Sequence, residues 1–184
     1  MSISFLKISC SECDFSGSSL VAFGTFRYKS ENSYFDLDRS FGLCLDCNAI
    51  VPIEILPDAD TFHRAKQLRK TYTGRPLLKL LEKDVAKYLA SQQNFEILEK
   101  VIDLNRKSVC LECGKAAIRE LEIPKNVSDT FWINIDQSHP WCSGKLQVKH
   151  SGSLRIAPQE ITKLYNIYGE LISTHPTDRH PYDI

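Results

Sequence analysis

Four short pairs of metal-ligating residues constrain this chain more than any other feature. Cys10 and Cys13, Cys44 and Cys47, and Cys110 and Cys113 are C-x-x-C pairs, and His139 and Cys142 form H-x-x-C. All seven cysteines fall within these pairs. Two residues three apart fit one tight turn with both side chains aimed at a single point. Two such turns complete a tetrahedron about 2.3 Å from each sulfur. Four pairs therefore predict two closed sites, one of four cysteines and one of three cysteines with a histidine, each holding a structural zinc ion. The residue after the second ligand of such a turn favours a left-handed backbone, which Gly, Asn and Asp tolerate best. Asp14, Asn48 and Gly114 stand there, and at the fourth pair Ser143 followed by Gly144.

Chain order suggests how the pairs combine. Cys10, Cys13, Cys44 and Cys47 would form the first site, and Cys110, Cys113, His139 and Cys142 the second. The enclosed loops, residues 14–43 and 114–138, are each long enough for two or three strands. This arrangement resembles the zinc-ribbon superfamily, over roughly residues 3–57 and 108–157. The resemblance implies turns at hairpin tips gripping one metal, and it implies no single function.

Other chemistry fits less well. A disulfide framework needs an oxidising compartment, and seven is an odd number of cysteines. A redox C-x-x-C belongs at a helix start rather than in repeated pairs. Iron suits a tetrahedral sulfur site as zinc does. His150 is the alternative to His139 as the fourth ligand of its site. Four ligands leave no open coordination position, so both sites read as structural and the metal-free protein as partly unfolded.

The hydrophobic pattern predicts an α+β chain: two small β zinc ribbons joined by a helical linker, with a short C-terminal helix. The first ribbon spans residues 1–57, the linker 58–107, the second ribbon with the terminal helix 108–174, and a tail 175–184. Strands are expected at residues 3–8, 19–28, 34–45 and 49–56, with Pro52 placing the last at a sheet edge. After Pro57 the apolar period changes from two to 3.6. Phe62, Ala65, Leu68 and Tyr72 line one helix, capped by Asp58 or Asp60. A second runs through Leu77, Leu78, Leu81, Val85, Tyr88 and Leu89, and a third carries Phe95, Leu98, Val101 and Ile102. Strands are expected again at residues 117–123, 131–135, 145–150 and 154–157, followed by the helix at 160–172. His175 and His180 lie in a tail with no apolar period.

Charge narrows the function classes. The 23 basic and 23 acidic residues cancel, which is not the footprint of a non-specific nucleic-acid binder. Residues 58–107 nonetheless hold eleven basic against seven acidic side chains. Arg64, Lys66, Arg69 and Lys70 cluster on the first helix, and Lys79, Lys83 and Lys87 recur every four residues on the second, so a polyanion contact is one reading of this face. A solvated helix surface is the other. No apolar run approaches the roughly 20 residues of a membrane span, and residues 1–10 do not read as a secretory signal. Free thiolates then point to the cytoplasm. Trp132 and Trp141 flank the fourth pair, Trp132 as a candidate interface anchor and Trp141 as a cover for the metal. No nucleophile elbow, phosphate loop or H-E-x-x-H is present. The expectation is a non-enzymatic, zinc-binding cytosolic module that binds another protein, of inhibitor, antitoxin or immunity type. A nucleic-acid-binding ribbon protein is the alternative.

Overall fold

The computed structural model describes residues 2–30, 33–71, 95–155 and 161–176. Three sheets dominate it. The first runs β2 (Ser16–Ser18), β1 (Ser2–Cys10), β9 (Lys145–Arg155), β8 (Ile133–Ser138). The second runs β11 (Leu171–Pro176), β10 (Ile161–Tyr165), β3 (Thr25–Ser30), β4 (Ser33–Asp36), and the third β6 (Ala49–Glu54), β5 (Arg39–Cys44), β7 (Ile118–Glu120). Each sheet thus joins strands from before residue 57 to strands from after residue 108.

This overturns the expected architecture of two ribbons joined by a helical linker. The reason is long-range pairing. β1 lies antiparallel to β9 from Ser2 opposite Arg155 to Cys10 opposite Leu146, with Ile8 facing Val148 and both buried. β10 joins β3 in parallel, and β7 adds to β5. A hairpin of about 50 residues has too little apolar surface to form a core alone. Interleaving the halves buries Ile8, Leu43, Ile50, Leu121, Ile135, Leu146 and Val148 in one shared cluster.

The helices form part of a core rather than a linker. In α1 (Ala59–Thr71), Phe62 and Ala65 are fully buried while Leu68 is partly exposed. Asp58 caps it by accepting the Thr61 N–H at 2.8 Å. In α2 (Phe95–Asp103), Ile97, Leu98 and Val101 are buried. Both helices pack over Phe26, Tyr28, Phe35 and Tyr165 of the second sheet and over Leu37 just beyond β4. Phe26 and Tyr28 alternate with Thr25 and Arg27, so one face of β3 meets the helices. The helix expected at residues 77–89 lies outside the described residues.

Of the helix expected over residues 160–172, the described residues 161–172 show none, and β10 and β11 form a hairpin there instead. Asn166 accepts the N–H groups of Tyr168 and Glu170 at 3.0 Å each, and Gly169 takes φ +82°. The Asn-x-x-Gly turn divides an apolar pattern that fits a helix equally well. His175, assigned to the tail, pairs with Thr162 inside β11, and its Nε2 lies 3.0 Å from Ser173 Oγ. Pro52 does fall on a sheet edge. Its carbonyl accepts the Leu111 N–H at 2.9 Å, and Glu54 N–H donates to Val109 O at 3.0 Å. That edge therefore holds the segment that carries Cys110.

Candidate metal centres

The eight predicted ligands come together in two groups, but not in chain order. Cys10, Cys13, His139 and Cys142 form the first cluster, and Cys44, Cys47, Cys110 and Cys113 the second; within each, the ligand atoms all lie within 4.8 Å of one another. The first and fourth turns combine, and the second and third combine between them. The β1–β9 ladder explains this, since Cys10 at the end of β1 lies opposite Leu146, close to the 139–144 turn. In the third sheet Cys44 stands opposite Ile118, which brings the Cys110 turn to the Cys44 turn.

Separations within the clusters suit a tetrahedral metal. Cys10 and Cys142 sulfurs are 3.3 Å apart, Cys13 and Cys142 3.6 Å, Cys44 and Cys113 3.7 Å, and Cys47 and Cys110 3.9 Å. A tetrahedron with arms of about 2.3 Å has edges of about 3.8 Å. A disulfide requires about 2.05 Å. The donor set, seven thiols and one imidazole, suits zinc and, in the four-cysteine cluster, iron.

Local turns aim the sulfurs. Cys10 Sγ accepts the Glu12 N–H at 3.5 Å, Cys44 Sγ the Cys47 N–H at 3.4 Å, and Cys110 Sγ the Glu112 N–H at 3.4 Å. Asn48 and Gly114 follow their pairs with φ +48° and +73°. Asp14 does not share this left-handed backbone, and neither does Gly144. At Gly144 the requirement is space, because a Cβ would clash with Cys10 Sγ and lie 3.0 Å from Glu12 N. Polar contacts join the paired turns. Ser143 Oγ donates to Glu12 at 3.0 Å in the first centre, and Lys115 Nζ donates to Asp46 at 3.1 Å in the second.

His139 is the fourth member of the first cluster, and His150 is elsewhere. His150 Nε2 contacts Ser4 Oγ, and its Nδ1 accepts the Gly152 N–H at 3.2 Å. His139 is buried, with Nδ1 3.3 Å from Cys13 Sγ and 3.2 Å from Cys142 Sγ. Phe15 lies 4.3 Å from its ring and Trp141 5.3 Å, centroid to centroid. Trp141 flanks the histidine while remaining 47% exposed, so it shields the site only in part.

The thiols' acidity bears on how these clusters could take up a cation. Burial pushes the Cys110 thiol up to about 12 and raises Cys47 further. The sulfur of Cys10 pushes Cys142 up to about 11. Cys10 and Cys113 move the other way. Burial opposes ionisation of each, but the Glu12 and Lys115 N–H groups and neighbouring thiols outweigh it. Each cluster thus holds some protons in the absence of metal, and a divalent cation displaces them. Burial also depresses His139, which keeps the imidazole neutral and free to ligate. Protons compete with metal for the raised thiols, so affinity at both centres is expected to fall as pH is lowered. Cobalt(II) titrations at two pH values check this, and pH-independent affinity would exclude thiolate ligation.

Among the described residues, the basic face of α1 contributes no ligand to these centres. Arg64 lies on α1, as do Arg69 and Lys70, while Lys66 pairs with Glu99 of α2. Lys79, Lys83 and Lys87 fall outside the described residues, as does His180. Two contributors escaped the sequence reading. Asn48 accepts a hydrogen bond from the histidine ligand, and the only signal was its place after Cys47. Glu54 is a buried acid in an otherwise apolar strand, and that contrast was the signal. Comparison with protein-family models, curated proteins and solved structures finds no match to this chain.

Proposed function

We propose that this chain is a cytosolic, non-enzymatic module that binds another protein, on a frame held by two structural zinc ions. The observation that carries this reading is the closed geometry of both centres, in which four protein ligands leave no position for substrate or water. Among the described residues, no helix is long and apolar enough to cross a membrane.

An exposed aromatic pair supplies a candidate contact surface. Phe131 is 64% exposed and Trp132 41%. Their loop is ordered by Ser128, whose Oγ accepts the N–H groups of Thr130 and Phe131 at 3.1 and 3.3 Å. Its carbonyl accepts the His150 N–H of β9 at 2.8 Å. A preordered aromatic loop loses little entropy on binding and suits a protein interface. The Lys66–Glu99 pair supports a protein partner over nucleic acid, since one cation of the basic face already has an anion.

A role for this chain as the inhibitor, antitoxin or immunity protein of that partner fits this reading. Affinity capture of the metal-loaded protein from its native cytosol tests it, with and without nuclease. One stoichiometric protein partner is expected to survive nuclease. The Trp132→Ala variant should retain its metal and lose affinity for that partner by roughly 30-fold, as for an interface anchor worth about 2 kcal/mol. Recovery of nucleic acid, or loss of all partners on nuclease treatment, would overturn the protein-binding assignment.

A further inference from the structure

His139 binds in the first centre but is oriented from the second. With Nδ1 facing two sulfurs, the ring proton belongs on Nε2, which lies 3.3 Å from Asn48 Oδ1. Asn48 immediately follows Cys47, a ligand of the second centre, and its backbone is left-handed at φ +48°. The direction of its amide is therefore set by the turn that grips the second metal. A second contact joins the same regions. Gly17 of β2, just beyond the first turn, packs against the Ile50 side chain of β6 so closely that a Cβ there would clash. The hydrogen bond from a histidine ligand's remote nitrogen fixes its tautomer and ring plane, and removing such a partner typically lowers metal affinity about 10–100-fold.

We infer that Asn48 is a positioning residue that orients the histidine ligand of the first centre from the turn of the second, so that the two centres load as a coupled pair. The inference rests on the metal-binding reading of both clusters. Filling the second centre fixes the Cys44–Asn48 turn, which holds Asn48 Oδ1 where His139 needs it. By linkage, filling the first centre must strengthen the second by the same factor.

Cobalt(II) is the probe, because its thiolate charge-transfer intensity differs between a site of four cysteines and one that includes a histidine. Chelator competition gives each centre's affinity, and the 15N–1H spectrum of the imidazole reports which ring nitrogen carries the proton. Asn48→Gly accepts the left-handed backbone and removes the acceptor; Asn48→Asp keeps both. In the native protein His139 is expected to show an Nε2 proton and ligation through Nδ1. Asn48→Gly should weaken the histidine-containing centre about 10–100-fold, and Asn48→Asp should restore it. Cys113→Ser, which weakens the second centre directly, should also weaken the first, and its effect should not add to that of Asn48→Gly. Two bound cobalt ions with unchanged affinity at the histidine-containing centre in Asn48→Gly, or ligation through Nε2, would overturn the coupling alone. Fewer than two cobalt ions in the native protein would overturn the metal reading beneath it.

Discussion

The Gly144→Ala variant is expected to retain one metal ion per chain where the native protein retains two. The added methyl would overlap Cys10 Sγ and press on Glu12 Cβ and N, both 3.0 Å away. The sulfur cannot retreat, because it must stay about 2.3 Å from the metal. Glu12 cannot retreat either, since its N–H holds that sulfur and its carboxylate holds Ser143. The turns are further joined by Ser11 N–H to Lys145 O and Lys145 N–H to Ser11 Oγ, both at 3.0 Å. The alanine must therefore separate the first turn from the fourth. A structural zinc site contributes about 10–16 kcal/mol of apparent binding energy, so its loss should also release the β1–β9 end. Gly114→Ala is the contrast. Nothing lies within 4 Å of a Cβ there, and the left-handed backbone costs only about 1–2 kcal/mol. It should keep both metals. Elemental analysis of the two proteins, purified without chelator, decides the matter. Two metals in Gly144→Ala would show that the first and fourth turns do not share an ion.

Replacing Glu54 with alanine should cost about 3–5 kcal/mol with both centres loaded, which lowers the melting temperature by roughly 6–20 °C. The Glu54 side chain is fully buried and accepts from three partners. Tyr28 Oη and Arg106 Nη1 each donate to it, Arg106 Nη2 donates at 2.6 Å, and the Val109 N–H donates at 3.3 Å. Arg106 also donates to Ile167 O through Nε at 3.1 Å and Nη2 at 2.9 Å. One carboxylate thus ties β3, β6, the 106–109 segment and the β10–β11 turn. Without it, Arg106, whose side chain is 15% exposed, keeps a buried charge with no opposite partner, the expensive half of a broken pair. Burial, and then the Glu54 charge, raises the Tyr28 hydroxyl well above its ordinary range, so it remains a donor at any physiological pH. Because Val109 adjoins Cys110, the variant should also bind the second metal less tightly. A thermal melt of the loaded protein checks the stability effect. A change below about 1 kcal/mol would mean that the network adds no net stability.

The candidate ligands were legible because metal chemistry is written locally. A pair three residues apart declares itself whatever surrounds it, and His139 was found by sharing the register of the cysteine pairs. The left-handed positions at Asn48 and Gly114 were legible for the same reason. Asp14 and Gly144 followed other rules, and at Gly144 the constraint comes from a sulfur 134 residues away in sequence. Asp58 was one of two cap candidates, and helical spacing gave Phe62, Ala65, Leu98 and Val101 as buried, while it also named the exposed Leu68 and passed over Ile97. Residues 160–172 could not be read this way, because their apolar spacing suits a helix and a hairpin alike, and the parallel pairing with β3 selected the hairpin.

By itself the sequence determined which side chains are candidate metal ligands, how many sites they can fill, and where several strands and helices begin. Only the tertiary structure decided which turns come together. Four equivalent pairs carry no label for their partners, and chain order favours the shortest loops. The β1–β9 ladder and the shared cluster of Ile8, Leu43, Ile50, Leu146 and Val148 draw apolar side chains from both ends of the chain into one core, where a lone ribbon of about 50 residues has little to bury. That burial brings the first turn to the fourth, the second to the third, and Asn48 to His139.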